Sequence, residues 1–191
     1  MTGRTIADLF ERLTNLFGAL DRGVAHAHGL KQVQLAALRY LARCNRYSDT
    51  PAAIAEYLGL TKGTVSQTIA TLEAKGMLTR RSDAADGRVV HLGLTAQGRR
   101  IARTQLQRGA LAAAADAMDE ADATALEASL RELLRTTQRQ NGGVSFGVCH
   151  SCHFFRREAL GDRHQCGLTL EPLSDRESQL ICREHQDIAE G

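Results

Sequence analysis

The stretch Ala55–Leu72, AEYLGLTKGTVSQTIATL, constrains this chain more than any other. Ala55 is small where two helices must cross. Gly59 follows four residues later, where a turn needs a residue that tolerates positive φ. Val65, Ile69 and Leu72 then repeat at i, i+4 and i+7, which is one apolar stripe of a helix. Around that stripe sit Thr64, Ser66, Gln67, Ala70 and Thr71, all short and polar or small. Two short helices joined by a tight turn follow from this spacing. A helix with one apolar edge and a low, hydrogen-bonding outer face suits the DNA major groove. The same pattern also describes an ordinary helical hairpin in a core, and the flanking sequence must choose between the two.

The flanks favour the groove. The net charge of +2 says little about partners, but its distribution does. From Thr61 to Arg103 there are eight basic residues against three acidic ones; from Cys149 onward there are five Arg against eight Asp and Glu. The positive field is therefore local to the helix-turn-helix, where phosphates would lie. After it, Met77–Arg81 and Arg88–Leu94 read as two short strands. Asp83-Ala84-Ala85-Asp86-Gly87 between them carries turn chemistry. A hairpin directly after a helix-turn-helix is a wing. In its second strand Val90, Leu92 and Leu94 face inward, which leaves His91 on the outer face, expected to be solvated.

Upstream, Ile6, Leu9, Phe10, Leu13, Leu16, Phe17 and Leu20 hold a 3–4 spacing over a long first helix. That wide apolar face packs against a partner chain or inside the monomer. Gly23 to Gly29 is expected to break the helix, with His26 and His28 solvated or capping there. Leu30–Arg43 is the second helix, closed by Cys44 as a small core residue. Pro51 opens the third helix. Thr61 caps the fourth, and Gly76 ends it. Downstream, Thr95 caps a helix from Ala96 to about Ala117, and Asp119–Asp122 starts another that runs to about Gln140. Asn141-Gly142-Gly143 is a linker.

In order, these residues resemble the MarR family of winged-helix regulators. LEAKGM at the end of the fourth helix, the D-x2-D-x-R wing (Asp83, Asp86, Arg88) and L-x-LT-x2-GR (Leu92, Leu94, Thr95, Gly98, Arg99) carry the resemblance, which spans about residues 5–140. It implies a mainly α fold with a small β-wing, organised as residues 1–140, with the helix-turn-helix at 51–76 and the wing at 77–95. It also implies a homodimer in which the first helix and the last two helices intertwine. The partner would be double-stranded DNA with a palindromic operator, the recognition helices in major grooves and the wings at minor grooves. By match to the motif, Lys62, Thr64, Ser66 and Gln67 face the groove and Arg88 belongs to the wing, braced by Asp86. Lys62 suits phosphate, Gln67 suits adenine and Arg88 suits a narrow minor groove. Many relatives carry Arg at the position of Gln67, so no operator sequence is carried over.

Beyond a linker at 141–148 the composition changes. Residues 149–191 hold four of the five Cys and four of the seven His. Cys149 and Cys152 form C-x2-C, and Cys166 and Cys182 follow at longer spacings, with His185 three beyond. Four Cys in 34 residues with this opener is a metal-site pattern. Phe146, Phe154, Phe155, Leu168, Leu170, Leu173, Leu180 and Ile181 offer a small core around it. A unit of this size usually needs a metal to fold. The expected ligands are Cys149, Cys152, Cys166 and Cys182, with His185 as a further candidate; His150, His153 and His164 are expected as bystanders or supporting groups. Zn2+ held by thiolates and an iron–sulfur cluster, [4Fe-4S] or [2Fe-2S], are both compatible.

No apolar run approaches a membrane span, and the opening MTGRTIADLF is not a secretory signal. A cytoplasmic protein with reduced or metal-bound Cys is expected. No HExxH motif and no open metal position point to an enzyme. The expected function is a homodimeric, non-enzymatic transcription regulator, in first place a repressor, with a structural or sensory metal tail and room for a small-molecule effector. Alternatives are a thiol–disulfide protein using the C-x2-C pair, which lacks a βαβ context, and a winged-helix adapter for protein contacts.

Overall fold

A computed structural model describes residues 2–84, 86–104, 106–142 and 145–188. Ala85 of the wing turn, Gln105 of the Ala96–Ala117 segment, Gly143 of the linker and residues 189–191 of the tail lie outside the described residues.

Helix α1 runs Thr2–Ala27, through the break expected at Gly23. A glycine inside a helix costs about 1 kcal/mol. Burial of Val24 and Ala25 against the core offsets that. Then come α2 (Gln32–Leu41), α3 (Pro51–Leu58) and α4 (Lys62–Ala74). Thr50 caps α3 by accepting from the Ala53 N–H at 3.3 Å, and Thr61 caps α4 by accepting from the Thr64 N–H at 3.2 Å. Between them Gly59 sits at φ 63°, the left-handed turn that the sequence requires.

Strands β1 (Leu78–Ser82) and β2 (Val90–Leu94) pair antiparallel, with Arg80 opposite Leu92 and Arg81 opposite His91. Helix α5 (Ala96–Ala102) starts on a Thr95 cap. The single helix expected over Ala96–Ala117 is instead two, α5 and α6 (Leu106–Asp116). At the break the Thr104 carbonyl accepts from the buried Arg39 guanidinium at 2.7 Å, and Arg39 also pairs with Asp21. A carbonyl claimed by a buried charge gains more than one more helical turn offers. Helix α7 (Glu120–Gln140) starts on Asp119, which accepts from the Ala121 N–H at 2.9 Å.

The core gathers Leu35, Leu38, Tyr40, Ile54, Val65, Ile69, Leu72, Leu78, Leu92 and Ile101. Met77 folds its backbone hard onto α5: a Cβ at Gly98 would lie 2.0 Å from the Met77 carbonyl oxygen.

The C-terminal segment adds β3 (Gly147–Val148), a 3-10 turn (Cys149–Ser151), β4 (Phe155–Leu160), β5 (Arg163–Cys166), β6 (Pro172–Leu173), α8 (Asp175–Ser178) and β7 (Ile181–Cys182). Strands β4, β5 and β6 form one sheet, and β3 pairs with β7. This segment shares the core of the winged part. Ile181 is buried within that core. Its backbone donates to the Arg43 carbonyl and accepts from the Asn45 N–H, at 2.8 and 2.9 Å. Phe146 stands edge-on to Tyr57 at 5.2 Å. Arg183 grips Glu56 with two bonds of 2.6 and 2.7 Å. Arg46 reaches Glu171, at 2.9 Å, and Glu177. Of the residues expected to form a tail core, Leu173 is buried, whereas Leu168 and Leu170 are 49% and 62% exposed.

Candidate nucleic-acid interface and cysteine cavity

Helix α4 divides its two sides cleanly. Val65, Thr68, Ile69 and Leu72 are buried, and Lys62, Thr64, Ser66 and Gln67 are all exposed on the other side. The Thr64 and Thr61 hydroxyls share a hydrogen bond of 2.9 Å, which orients both at the start of the helix. Arg88 stands out from the wing with 90% of its side chain exposed. Asp86 braces it, accepting from Arg88 Nε at 2.9 Å and Nη2 at 2.8 Å. Those bonds hold the Asp86 carboxyl below its usual range. An exposed cation on a hairpin and a row of short donors and acceptors on a helix are the parts that a nucleic-acid duplex requires.

His91 corrects the expectation of a solvated side chain. It is mostly buried and lies between two carboxylates, Nδ1 on Asp49 and Nε2 on Asp83, the latter at 3.1 Å. A carboxylate only accepts, so both ring nitrogens are best satisfied as donors. The bond to Asp49 raises the His91 pKa, against burial and the nearby Arg81. Asp83 in turn accepts from the Asp86 N–H at 2.9 Å. His91 therefore ties the base of the wing to the loop between α2 and α3. Alternation along β2 identified its face but not the two carboxylates waiting there.

Cys149, Cys152, Cys166 and Cys182 all line one cavity of about 360 Å³. Asn45 and His91 of the winged part form part of its wall, and Phe154, Phe155 and Leu173 make it largely apolar. The Cys are free thiols. Asn45 Nδ2 donates to the Cys149 sulfur at 3.4 Å, and the Gln186 N–H to the Cys152 sulfur at 3.5 Å. Cys149 donates a hydrogen bond to Cys182. The bond from Cys149 pulls Cys182 down to about 6, aided by Asn45, the Glu184 N–H and Ser48. The same bond, with burial, pushes Cys149 above the ordinary thiol range. Among the described residues, no three His, Cys, Asp or Glu side chains are gathered closely enough to hold a single metal ion.

His185 lies apart from this cavity. It is buried with its ring nitrogens on the hydroxyls of Ser145 and Ser151, at 2.9 and 3.2 Å, and lines a different groove. His164 bonds Asp175 at 2.9 Å, and His150 faces the Ser178 carbonyl. Cys44, the fifth Cys, is buried away from the others, and burial pushes its thiol up to about 12. The groove that His185 lines, about 640 Å³, runs between α3, α7 and the C-terminal segment, past Arg43, Tyr57, Arg135 and Gln138. No helix among the described residues is long and apolar enough to cross a membrane.

The sequence profile of the MarR family matches residues 28–89. No curated protein matches the chain. Solved structures do. MepR of S. aureus in its DNA-binding conformation is 25% identical, with a TM-score of 0.60 over 70% of this chain and 98% of that one. FabT of Streptococcus pneumoniae in complex with DNA is 23% identical, with a TM-score of 0.57 over 73% and 99%. A MarR family protein of Bacillus stearothermophilus is 20% identical, with a TM-score of 0.55 over 72% and 99%. Residues 28–89 thus match the MarR family profile, and the chain shares the winged helix-turn-helix fold of these solved structures.

Proposed function

We propose that this protein is a sequence-specific DNA-binding transcription regulator that acts as a homodimer, in first place a repressor. The observation that carries the reading is the division of α4. Four short polar or basic side chains share an exposed side while the other side is locked in the core, and Arg88 projects from the neighbouring wing. The similarity to FabT in complex with DNA supports it. A second copy of the chain would cover the apolar faces of α1 and α7. Leu9, Phe10 and Leu16 on α1 and Leu126, Leu130 and Leu134 on α7 are all 42–58% exposed in a single chain. The groove past Tyr57 and Arg135 offers a small-molecule effector a place beside those helices. Cys149, Cys152, Cys166 and Cys182 are proposed as the ligands of a metal centre in the C-terminal segment.

The test is fluorescence anisotropy of the full chain on duplexes from a library of palindromes, across a range of salt. Binding is expected to weaken steeply with ionic strength. Arg88→Ala is expected to lower affinity about tenfold and to reduce the salt slope by about one. Absence of binding at low salt, or an unchanged Arg88→Ala, would overturn the DNA reading and favour a winged-helix adapter.

A further inference from the structure

The four thiols converge from three separate strands and turns, yet they face one common space. A single ion bound by four thiolates at about 2.3 Å draws its sulfurs to within roughly 3.8 Å of one another. Cys149 and Cys182 are hydrogen-bonded to each other, but among the described residues no third donor joins them within reach of one ion. They instead surround a largely apolar cavity of about 360 Å³. A polynuclear centre fits that arrangement, because its own atoms fill the middle and each thiolate binds a different corner. Hydrogen bonds to the sulfurs and a dry surround are the features by which proteins tune such centres. The first is in place, with Asn45 donating to Cys149 and Gln186 to Cys152, and aromatic rings line part of a wall that also carries Arg46, Asp83 and Glu184.

The wall has a second owner. Asn45 belongs to the loop between α2 and α3. Its side-chain carbonyl accepts from the Ser48 hydroxyl at 2.8 Å and from the Tyr47 N–H at 3.1 Å. The next residue, Asp49, accepts the Leu92 N–H on β2 at 2.8 Å and holds His91. His91 holds Asp83, and Asp83 holds the turn whose Asp86 braces Arg88. Hydrogen bonds, joined at one point by the Ser48–Asp49 peptide bond, thus lead from a cysteine sulfur to the exposed cation of the wing.

We propose that this cavity holds an iron–sulfur cluster on Cys149, Cys152, Cys166 and Cys182, and that the wing is its outer wall, so that occupancy of the cavity sets the order of the wing and with it DNA affinity. The proposal rests on the metal-centre and DNA-binding readings above; it names the class of centre and the route by which it acts. The cluster enters already assembled on small-molecule thiolates such as those of dithiothreitol: each protein thiol displaces one of these from iron, and its proton passes to the thiolate that leaves. A filled cavity fixes Asn45 and the face of His91. An empty one leaves the loop and the wing free to move together. The winged part responds through its own loop, without any change in α1 or α7.

The experiment uses the full chain, isolated without oxygen and also reconstituted with ferric ammonium citrate, sodium sulfide and excess dithiothreitol, with zinc chloride as the parallel arm. Iron, acid-labile sulfide and zinc are quantified, and hydrogen exchange is followed over residues 86–91. The expected result is a coloured protein with iron and sulfide in equal amounts. Wing amides should exchange about tenfold more slowly, and operator affinity should change by about tenfold, relative to the stripped chain. Cys166→Ser, at the least buried of the four, is expected to lose iron and sulfide while keeping the helical circular dichroism. His91→Gln is expected to keep iron and sulfide but to lose the difference in wing exchange. Stoichiometric zinc with no retained iron or sulfide would overturn the cluster and leave the metal-centre reading standing. Uptake of neither metal would overturn both. A cluster that leaves wing exchange unchanged would overturn the route. Failure of every form to bind DNA would sink the DNA reading alone, since metal content and exchange still judge the rest.

Discussion

Ile181 tests whether the C-terminal segment is part of the winged core or merely lies on it. Its side chain is 5% exposed among the residues of α2 and α3, nearly 80 positions from the last other member of that core, Ala102. Ile181→Ala removes three carbons. At about 0.8 kcal/mol for each buried carbon the transfer loss is roughly 2–2.5 kcal/mol. A partly collapsed cavity raises the total to about 3–4 kcal/mol. For a chain of this size each kcal/mol moves the midpoint by about 2–4 °C, so the melting of the helices should fall by about 6–16 °C. The assay is thermal denaturation followed by far-ultraviolet circular dichroism, at fixed protomer concentration because a dimer's midpoint depends on it. The helical signal comes from α1–α7, so the substitution is read out on elements it does not belong to. Leu170→Ala, at a site 62% exposed, is the control and should stay within about 0.5 kcal/mol of the parent. A helical transition of Ile181→Ala that coincides with the parent, together with faster thiol labelling at Cys149 and Cys182, would refute the reasoning. It would mean that the segment detaches alone and leaves the core complete.

Gly98→Ala places a methyl group against the Met77 carbonyl oxygen, a backbone atom that cannot swing aside. A loss of at least about 1–3 kcal/mol in urea unfolding is expected. Hydrogen bonds to Asp49 and Asp83 raise the folded pKa of His91 above its unfolded value. Its contribution is complete below about pH 6.5 and is lost as the pH rises through the raised value. His91→Gln should therefore differ most from the parent in acidic buffer, with the gap in thermal midpoint narrowing toward alkaline pH; a gap independent of pH would exclude the imidazolium. Leu130→Glu puts a charge on the apolar face of α7 and should shift sedimentation from dimer to monomer, with the circular dichroism of α3 and α4 retained.

The elements that were legible in the sequence are those whose signals are local. The caps at Thr61, Thr95 and Asp119 are short-range chemistry, and each sits where its hydroxyl or carboxylate meets the first turn. The stripe of Val65, Ile69 and Leu72 reported its own burial. The misses are long-range. Nothing near Thr104 announces that Arg39 will claim its carbonyl, so one helix was expected where there are two. Period-two alternation placed His91 on the outer face of the wing, but a face is solvated only if nothing packs on it, and here the 45–49 loop and the cysteine cavity do. The four cysteines that spacing grouped line one space, whereas His185, the further candidate, was drawn aside by two serines. Leu168 and Leu170 read as core because they are apolar; Ile181 and Phe146 took that role by joining the larger core next door.

The place of Ile181 also has a consequence in time. The helices and wing of residues 24–102 leave the ribosome before the residue that completes their interior exists. At about 5–20 residues per second, the interval between Ala102 and Ile181 is roughly 4–16 s. During that interval Tyr40, Tyr57 and Cys44 face a site still waiting for its plug. A nascent chain with a finished recognition helix therefore remains short of its final stability until the cysteine segment has been made and docked. Synthesis of the segment that carries the cysteines is thus a precondition for a fully folded DNA-binding unit.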